Sequence, residues 1–304
     1  MWGIIINPKS GKKALRKQLN YLSRILAERQ IAHEQYFTKY AGHATEIARE
    51  LVESGIRKIL ILGGDGTFSE IINGIFSAKN VDTQEITLAL IPRGTGNDWG
   101  RFWNLTRNYK DSIHVFLEGK RQMIDVGVAE YYRNRELQRH YFINSIGFGL
   151  DHRVVHETHR LKYYLGSHAG LYFWALLKAV FTFRSQTMTI QTAENEYTGP
   201  IFTINIGNGP YSGGGMKQNP AAIPTDGFFD AMFVFKPSFK DVLKAIPLLF
   251  NGKLTQLPIV KTLHTPRIDI LTDDYLPFEA DGIEEHAQGP YSIRVLPLAV
   301  GMIG

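Results

Sequence analysis

The sequence predicts an α/β domain with a parallel sheet over residues 1–124, followed over residues 125–296 by a mostly antiparallel β-sandwich domain with a helical insert. The first domain is predicted because strand-like apolar runs alternate with helical patterns, and because two glycine-rich loops each follow such a run directly. The second is predicted because short alternating strands replace this pattern from Met123 onwards. A chain of 304 residues is long enough for two modest domains.

Four strands and the helices between them account for the first domain. The strands are predicted at Ile4–Ile6, His33–Phe37, Ile59–Leu62 and Leu88–Ile91, and two of the helices at Lys12–Gln30 and His43–Ser54. A third helix follows the third strand, where apolar residues repeat at helical spacing. Thr67 and Glu70 have capping-box spacing, which predicts that both side chains satisfy backbone donors at the start of this helix.

Shorter strands make up the second domain. Asp125–Tyr131 and Tyr141–Ile146 flank a polar turn and predict a hairpin. Further strands are predicted at Thr187–Thr192, Ile201–Ile206, Phe228–Phe235, Arg267–Leu271, Pro277–Ala280 and Tyr291–Leu296. Helices are predicted over residues 154–183, the insert, and over Phe239–Phe250. We expect the cleft between the two domains to hold the active site.

The two glycine-rich loops, Gly63–Thr67 and Pro92–Asp98, have the composition of phosphate-binding loops. Glycine lets the backbone approach an anion closely, and the helix that follows adds the positive end of its dipole. Neither loop has the Walker A sequence or the G-x-G-x-x-G spacing, which disfavours a P-loop NTPase and a Rossmann dehydrogenase. The alternative for the first loop is an ordinary tight turn, since Asp65 is a common turn residue.

Composition excludes several classes of protein. The residues are 44% hydrophobic and 21% charged, as in a soluble globular protein, and the absence of cysteine excludes disulfides and thiolate metal sites. No signal-like or membrane-spanning stretch is present, so we expect a cytoplasmic protein. The net charge of +5 is spread out. The mild cluster of Lys9, Lys12, Lys13, Arg16 and Lys17 is interpreted as a solvated helix face beside a phosphate site, with no nucleic-acid partner.

Several motifs in the same order resemble those of the diacylglycerol kinase catalytic family, which includes bacterial soluble lipid kinases and the sphingosine and ceramide kinases. They are Asn7–Gly11, Gly63–Thr67, Gly94–Asp98, Gly213–Gly215 with Pro220 and Ala221, and Thr225–Gly227. The resemblance implies an NAD kinase-like fold, ATP and Mg²⁺ as cofactors, and return of residues 297–304 to the first domain. The Gly63–Thr67 loop is also shared with NAD kinases.

The resemblance and the loops together give a set of candidate nucleotide contacts. They are Asn7, Pro8, Lys9, Ser10, Gly11, Thr38, Gly63, Gly64, Asp65, Gly66, Thr67, Gly94, Thr95, Gly96 and Asn97. Thr38 is included by resemblance alone; the alternative is an exposed threonine at a strand end.

Four aspartates are candidates for magnesium. Asp65, Asp98 and Asp125 are placed near a catalytic ion, which takes few carboxylates and keeps several waters. Asp98 has the alternative role of helix cap and Asp125 that of a strand terminus. By resemblance, Asp226 binds a structural magnesium with carbonyls near Ile223 and Phe228, although Thr225–Gly227 alone predicts a plain turn.

The predicted base depends on a motif that departs from the family pattern. The family carries Asp-Gly-Glu late in the second domain, whereas this chain has isoleucine at the third position and Glu284 one residue later. We take Asp281 as the base and Glu284 as the second candidate. In a strand Glu284 faces opposite to Ile283, unless a bulge at Gly282 restores its direction. We expect Asp281→Asn to lower turnover by about a hundredfold or more.

Histidines on the insert do not predict a metal site. His156 and His159 are three residues apart, whereas the zinc protease motif needs four, and His152 and His156 have no glutamate between them. We interpret these side chains as a solvated helix face.

Large apolar side chains crowd the insert. They are Leu161, Tyr163, Tyr164, Leu165, Leu171, Tyr172, Phe173, Trp174, Leu176, Leu177, Val180, Phe181 and Phe183. Core packing is the default explanation, and an exposed part of the set would mark a membrane or acyl-chain surface.

The function predicted from these features is that of a peripheral lipid kinase that moves the γ-phosphoryl of ATP to a hydroxyl of a diacylglycerol- or sphingoid-type acceptor at a membrane surface. A homodimer is a candidate assembly. The alternatives are a kinase of a soluble acceptor, as in NAD kinases, and a nucleotide- and lipid-binding protein with little catalysis, which the Ile283 departure makes conceivable.

Overall fold

The computed structural model describes residues 1–11, 15–106, 108–165, 171–272 and 274–304, and the side chains of residues 162–165 and 171–173 are not described. The chain folds into two compact units, residues 1–125 with 298–304 (the first unit) and residues 126–297 (the second unit). Some residues for which the sequence analysis makes predictions therefore lie outside the described part. They are Lys12 and Lys13, and the side chains of Tyr163, Tyr164, Leu165, Leu171, Tyr172 and Phe173.

The first unit is built on a parallel sheet. Its elements are β1 (Trp2–Ile6), α1 (Leu15–Glu28), β2 (His33–Phe37), α2 (His43–Glu53), β3 (Lys58–Gly63), α3 (Asp65–Ser77), β4 (Thr87–Pro92), α4 (Asp98–Phe102) and α5 (Tyr109–Glu118). The strand order is β2–β1–β3–β4, all parallel, and a C-terminal strand adds to β4 through Gly301 and Met302.

Helices cover both faces of this sheet. On one face, Leu22 and Leu26 of α1 and Phe116 of α5 pack against alternate strand residues such as Ile4 and Leu60. On the other, Gly3 lies so close to Leu51 of α2 that an added Cβ would be 2.9 Å from Leu51 Cδ1. The inner strands contain continuous apolar runs, Ile4–Ile6, Ile59–Leu62 and Leu88–Ile91, as in other doubly covered parallel sheets, and each fully buried Ile or Leu contributes about 1.5–3 kcal/mol. The edge strand β2 is different: it is mostly polar, and none of its five residues is fully buried.

Glu70 has a different role from the one that its spacing predicts. Its carboxylate accepts hydrogen bonds from Gly42 N at 2.9 Å and Ala44 N at 3.2 Å, the first backbone donors of α2. No side chain caps α3 at Gly64, where that helix begins. The capping-box prediction is therefore wrong: Glu70 caps the neighbouring helix, because tight packing of α2 on α3 places those orphan donors within its reach.

The second unit is mostly antiparallel. Its elements are β5 (Arg121–Arg133), β6 (Glu136–Phe142), β7 (Ser145–Gly149), α6 (Leu150–Leu165), α7 (Leu171–Thr182), β8 (Gln186–Gln191), β9 (Glu196–Gly207), β10 (Phe229–Phe235), α8 (Phe239–Asn251), β11 (Val260–Thr265), β12 (Arg267–Leu271), β13 (Phe278–Ala280), β14 (Ile283–Glu285) and β15 (Gln288–Ile303). The start of β5 and the end of β15 belong to the first unit.

Antiparallel pairing runs through the order β14–β13–β7–β9–β8–β12–β15, and β10 joins β9 to β11. One core lies between strands and is rich in aromatic rings such as Phe148, Phe233 and Phe278. A second lies between the strands and helices α6, α7 and α8, around residues such as Leu176 and Met232. The predicted fold class, a parallel α/β domain followed by an antiparallel β-sandwich-like domain with a helical insert, is confirmed.

Some element boundaries differ from the predicted ones. The predicted strand Tyr141–Ile146 is two strands: β6 ends at Phe142 and β7 begins at Ser145 to pair with β9. The β5–β6 hairpin forms as predicted, through Asn134 and Arg135, both with positive φ. Strands β11 and β14 were not predicted. Among the described residues, no helix is both long and apolar enough to cross a membrane.

Candidate functional site

Four parallel strands of the first unit bring their carboxyl ends to one edge. Asn7 follows β1, Thr38 follows β2, Gly63 ends β3 and Arg93 follows β4. The registers align these ends, because Ile6 pairs with both Phe37 and Leu62, and Leu62 pairs with Ile91. Open α/β sheets bind their ligands at this edge. The structure therefore brings the predicted nucleotide loops together at one place.

A hydrogen bond connects the loop after β1 to the Gly63–Thr67 loop. Asn7 Nδ2 donates to Thr67 Oγ1 at 2.8 Å, and Asn7 Oδ1 accepts from Lys9 N at 3.0 Å. Thr38 is buried, and its backbone N–H donates to Ile6 O at 2.9 Å. The remaining predicted contacts, Pro8, Ser10, Gly66, Thr95 and Gly96, lie on the same loops.

Glycine is required where two loops touch. A Cβ on Gly64 would be 2.8 Å from Gly94 Cα, and a Cβ on Gly94 would be equally close to Gly64 Cα. Gly11 has φ +76°, and an added Cβ would be 2.5 Å from Arg93 O. The three loops that follow β1, β3 and β4 thus approach one another more closely than any residue with a side chain allows.

Arg93 is a candidate phosphate ligand that the sequence analysis missed. It is only 7% exposed, and its Nε donates to Ser10 O at 3.2 Å. Burial lowers the pKa of its guanidinium. Within the described part of the chain, the buried Nη1 has no hydrogen-bond partner. Leaving a buried donor of a charged group without a partner costs free energy of folding. Phosphate is a preferred partner of arginine, because two N–H groups of the guanidinium can bind two phosphate oxygens at once.

Asp65 connects the two glycine loops. Its Oδ1 accepts from Trp99 N at 3.3 Å, and it also accepts from the backbone N–H groups of Asn97 and Asp98. Burial raises the pKa of Asp65, and these backbone hydrogen bonds act in the opposite direction. Asp98, the predicted cap, is instead the first residue of α4, which begins after Asn97 in the left-handed conformation. Asp65 caps α4 instead, because the two glycine-rich loops are in contact.

The proposed ion ligands fit magnesium in part. The structure brings Asp65 and the buried Asp98 together, and Asn97 Oδ1 is a buried oxygen without a hydrogen-bond partner among the described residues. Magnesium bound with phosphates needs few protein oxygens. In the described ranges, no cluster of three or more His, Asp or Glu side chains could hold a metal ion. Asp125 is fully buried in β5, and its Oδ1 accepts from Leu298 N at 2.7 Å.

The Asp226 segment has the geometry of a turn. Asp226 Oδ1 accepts from Phe228 N at 3.0 Å, and Ile223 O accepts from Thr225 N at 2.8 Å. Gly227 has φ +79°. These contacts are the ones that the plain-turn alternative predicts, and magnesium at Ile223, Asp226 and Phe228 stays a proposal from the resemblance.

Asp281 forms a two-residue hairpin turn with Gly282 in the second unit. Both residues have positive φ, as a type I′ turn requires, and the pairs Ala280–Ile283 and Glu279–Glu284 leave no bulge at Gly282. The carboxylate accepts from Ile143 N at 2.9 Å, Asn144 N at 2.8 Å and Ser145 N at 3.3 Å. These bonds fix the turn against the start of β7.

Glu284 lies on β14 and faces helix α6. Its Oε2 is 2.9 Å from His156 Nδ1, and its Oε1 is 2.6 Å from His159 Nδ1. His152 Nε2 is 3.5 Å from Oε2. The interpretation of these histidines as a solvated helix face holds for His156 and His159, whose side chains are each 45% exposed, and not for His152, whose side chain is 12% exposed. What the sequence did not indicate is that all three face the carboxylate of Glu284. The spacing 152, 156, 159 places them on one side of a helix, and this was the available signal.

Comparison with known proteins agrees with these observations. The diacylglycerol kinase catalytic domain pattern matches residues 1–129, and the YegS C-terminal NAD kinase beta sandwich-like domain matches residues 144–304. The chain is 29% identical over 294 residues to the "Putative lipid kinase YtlR" of Bacillus subtilis strain 168, covering 92% of each. It is 27% identical over 280 residues to a "Diacylglycerol kinase" of Staphylococcus saprophyticus, covering 92% of this chain and 87% of that protein.

Solved structures show the same fold. A crystal structure of a "putative diacylglycerol kinase" from Bacillus anthracis strain Sterne has a TM-score of 0.79 at 24% identity and covers 99% of this chain and 96% of that one. Yeast NADH kinase complexed with NADH has a TM-score of 0.55 at 14% identity, with 99% and 82% covered. The match of residues 1–129 to a diacylglycerol kinase catalytic domain places the protein in the kinase class of phosphotransferases. The chain belongs to the diacylglycerol kinase catalytic family, with the NAD kinase-like C-terminal domain.

Proposed function

We propose that the protein is an ATP-dependent lipid kinase that transfers the γ-phosphoryl group to a lipid hydroxyl of the diacylglycerol or sphingoid type. The family supports the kinase reaction. The observation that carries the lipid acceptor is an apolar cavity in the second unit. Relatives named as lipid or diacylglycerol kinases support the same class of acceptor.

Phosphoryl transfer needs positioned phosphates, charge stabilisation and a proton acceptor. ATP, when bound with magnesium, supplies the phosphoryl group and a cation that neutralises developing charge. We assign the phosphates to the edge of the first unit, where the N-terminus of α3, the glycines and Arg93 Nη1 are available. Asp65 and Asp98 would hold the ion directly or through water. The acids of the β13–β14 turn, Asp281 and Glu284, are the proposed source of the base.

The cavity is lined by helices α6, α7 and α8 and by strands. Its enclosed volume is about 70 Å³. Its apolar lining includes Val154, Leu176, Val180, Phe202, Met232, Val242, Ala245 and Leu249. Its apolar lining is typical of binding sites for small apolar molecules. A hydrocarbon segment suits such a lining, because burial of each CH₂ group contributes about 0.8 kcal/mol.

Polar groups are confined to one part of the cavity wall. Asp151 accepts from Asn205 Nδ2 at 2.7 Å, Thr203 Oγ1 at 3.0 Å and Gln218 Nε2 at 3.1 Å. Burial raises the pKa of Asp151, and these hydrogen bonds act against that effect. A cavity with an apolar wall and one hydrogen-bonding region matches a molecule with a hydrocarbon chain and a hydroxylated head group.

Transfer of label from γ-labelled ATP, with magnesium, to a panel of lipids in mixed micelles tests the function. We expect one class of lipid to be labelled, and we expect Asp65→Ala to abolish the labelling.

Ala245→Phe fills the cavity and should lower kcat/KM for a long-chain acceptor by about tenfold or more, since overpacking costs about 1–3 kcal/mol. A short-chain acceptor with the same head group is the matched control and should lose less.

Other results would change the proposal. Labelling of a water-soluble alcohol without detergent, with no lipid labelled, would favour a kinase of a soluble acceptor. ATP binding without transfer to any acceptor would favour a binding protein.

Arg93→Ala is expected to weaken ATP binding by about tenfold or more, because the buried guanidinium would lose its charged hydrogen bonds to phosphate. Isothermal calorimetry with ATP and magnesium measures this. Arg29→Ala is the control, since Arg29 pairs with Glu118 on the surface of the same unit at 2.9 Å. Unchanged ATP affinity in Arg93→Ala would remove Arg93 from the phosphate site.

The helices that line the cavity also expose large apolar side chains. Trp174 and Phe181 of α7 are each 65% exposed, and Phe239 and Phe250 of α8 are 53% and 52% exposed. The rings of Phe181 and Phe239 are 5.4 Å apart. Lys240 and Lys244 also lie exposed on α8. Aromatic rings among lysines are typical of surfaces that lie on anionic membranes, so we propose that this face docks on the lipid surface.

Sedimentation with anionic vesicles tests the docking face. We expect the protein to bind at low salt and to be released as salt rises, because the electrostatic part is screened. Phe181→Ser with Phe239→Ser should reduce binding by about tenfold or more, since two rings leave the apolar phase. Leu137→Ser is the control, because Leu137 is 53% exposed on β6, outside the α7–α8 face. Equal loss in both variants would contradict a specific face.

A further inference from the structure

An exposed aromatic ring lies at the carboxyl edge of the first sheet, in the loop that joins β2 to α2. Tyr40 is 53% exposed. Its ring is stacked on the ring of His43, with the centroids 4.6 Å apart and the planes at 28°. Its hydroxyl donates to Glu46 Oε2 at 2.6 Å. One face of the ring is therefore covered and the hydroxyl is engaged, while the other face is open to a ligand.

The loop that carries this ring is fixed at several points. The backbone N–H of Lys39 donates to His43 Nδ1 at 3.1 Å, and His43 N donates to Tyr40 O at 3.3 Å. On the C-terminal side of the loop, Glu70 of α3 holds the first backbone donors of α2 at 2.9 and 3.2 Å. Thr45 Oγ1 donates to Glu70 O at 2.9 Å. A ring held in this way loses little conformational freedom when a ligand binds to it.

Two contacts place this loop beside the phosphate loops. The backbone N–H of Thr38, two residues before Tyr40, donates to Ile6 O at 2.9 Å, and the loop after β1 begins at the next residue, Asn7. Helix α3, to which the Tyr40 loop is bonded, begins in the Gly63–Thr67 loop. Neighbouring strands are about 4.8 Å apart, so the end of β2 is about 10 Å from the end of β3. An extended ATP spans this distance.

The opposite end of the same edge is filled. After β4 the chain enters α4, where Trp99 is fully buried and lies 6.1 Å from the ring of Trp103. Trp103 in turn lies so close to Gly304 that no Cβ would fit there. Within the described part of the first unit, a nucleotide whose phosphates lie at the glycine loops therefore has space for its base on the β2 side.

We propose that the nucleobase of the phosphate donor stacks on the open face of Tyr40, with His43 and Glu46 as the residues that position the ring. This inference rests on the proposed function and adds to it the residue that binds the base. Because the hydroxyl of Tyr40 already donates to Glu46, the ring contacts the face of the base and not its edge. Stacking tolerates different bases, and a purine covers more of the ring than a pyrimidine. We therefore expect the chain to prefer ATP and GTP to CTP.

Calorimetric titration of the whole chain with ATP, CTP and inorganic tripolyphosphate, all with magnesium, tests the proposal. Tyr40→Ala should weaken ATP binding by about tenfold, the scale on which the loss of a base–aromatic stack weakens binding. Tripolyphosphate has no base and should bind this variant as it binds the wild type. The preference for ATP over CTP should disappear. Tyr40→Phe should keep most of the affinity for ATP, because the ring remains.

Two further variants separate loss of the stack from damage to the phosphate site. Arg93→Ala should weaken the binding of ATP and of tripolyphosphate alike. Tyr132→Ala is the matched control and should leave both affinities unchanged, since Tyr132 is an exposed tyrosine of the second unit.

The outcomes that contradict the proposal are distinct from those that contradict the proposed function. Unchanged ATP affinity in Tyr40→Ala would overturn the proposal. An equal loss for tripolyphosphate in that variant would do the same, because it would show a distorted loop and no stack. A wild-type chain that binds neither ATP nor tripolyphosphate would overturn the proposed function and this inference with it.

Discussion

Asp281→Asn is expected to lower turnover by about a hundredfold or more and to lower the free energy of unfolding by about 1.5–3 kcal/mol. Asparagine can keep one oxygen for Asn144 and Ser145, but its amide would face the N–H of Ile143, which then loses its acceptor. The turn that places Glu284 would loosen. Steady-state kinetics and urea unfolding measure the two effects.

The pH profile of this variant separates two roles for Asp281. As the base itself, its loss would remove the acidic limb, whereas as the support of the turn it would leave the limb in place at a lower rate. Asp269→Asn is the matched control, because Asp269 pairs with exposed Arg267 at 3.0 Å in the same unit. Turnover near that of the wild type in Asp281→Asn would exclude both roles.

Gly64→Ala is expected to cost about 1–3 kcal/mol of stability and to abolish ATP binding. The backbone of Gly64 has φ −106°, which alanine adopts freely, so the cost is the collision of Cβ with Gly94 Cα at 2.8 Å. The loops after β3 and β4 would have to separate, and the phosphate-binding edge would open. Urea unfolding and calorimetry with ATP measure the two losses.

Gly66→Ala, two residues further along, is the matched control for stability. An added Cβ at Gly66 has no neighbour within 4 Å, and the residue lies in the first turn of α3. Its unfolding free energy should stay the same or rise by up to about 1 kcal/mol, since alanine favours helix. Equal stability of the two variants would show that the contact between Gly64 and Gly94 does not matter.

The fold class was predictable because the patterns that define it are local. Alternation of apolar strands with amphipathic helices predicts the parallel sheet, and the polar turn at Asn134 and Arg135 predicts the first hairpin. Boundaries depended on tertiary contacts. The break at Ile143 and Asn144 follows from pairing of β7 with β9, which no local pattern contains. Val260–Thr265 became a strand because β10 pairs with it.

The candidate site was predictable in its loops and less so in its side chains. The glycine loops could be placed because strand ends of a parallel sheet share an edge. The roles of Glu70 and Asp65 could not, because each caps a helix that is adjacent in space and remote in the chain. Likewise Arg93 became a candidate only once its burial was known, and the contact between Glu284 and the α6 histidines was known only once β14 was found against α6.

The first sheet is completed by the part of the chain that is synthesised after everything else in it. Gly301 and Met302 pair with Thr87 and Leu88, yet they leave the ribosome roughly 200 residues after β4, which is about 10–40 s of translation. During that time β4, all six of whose residues are buried in the finished sheet, has an open edge. The nascent chain must therefore protect an apolar strand from mispairing until its own C-terminal segment arrives.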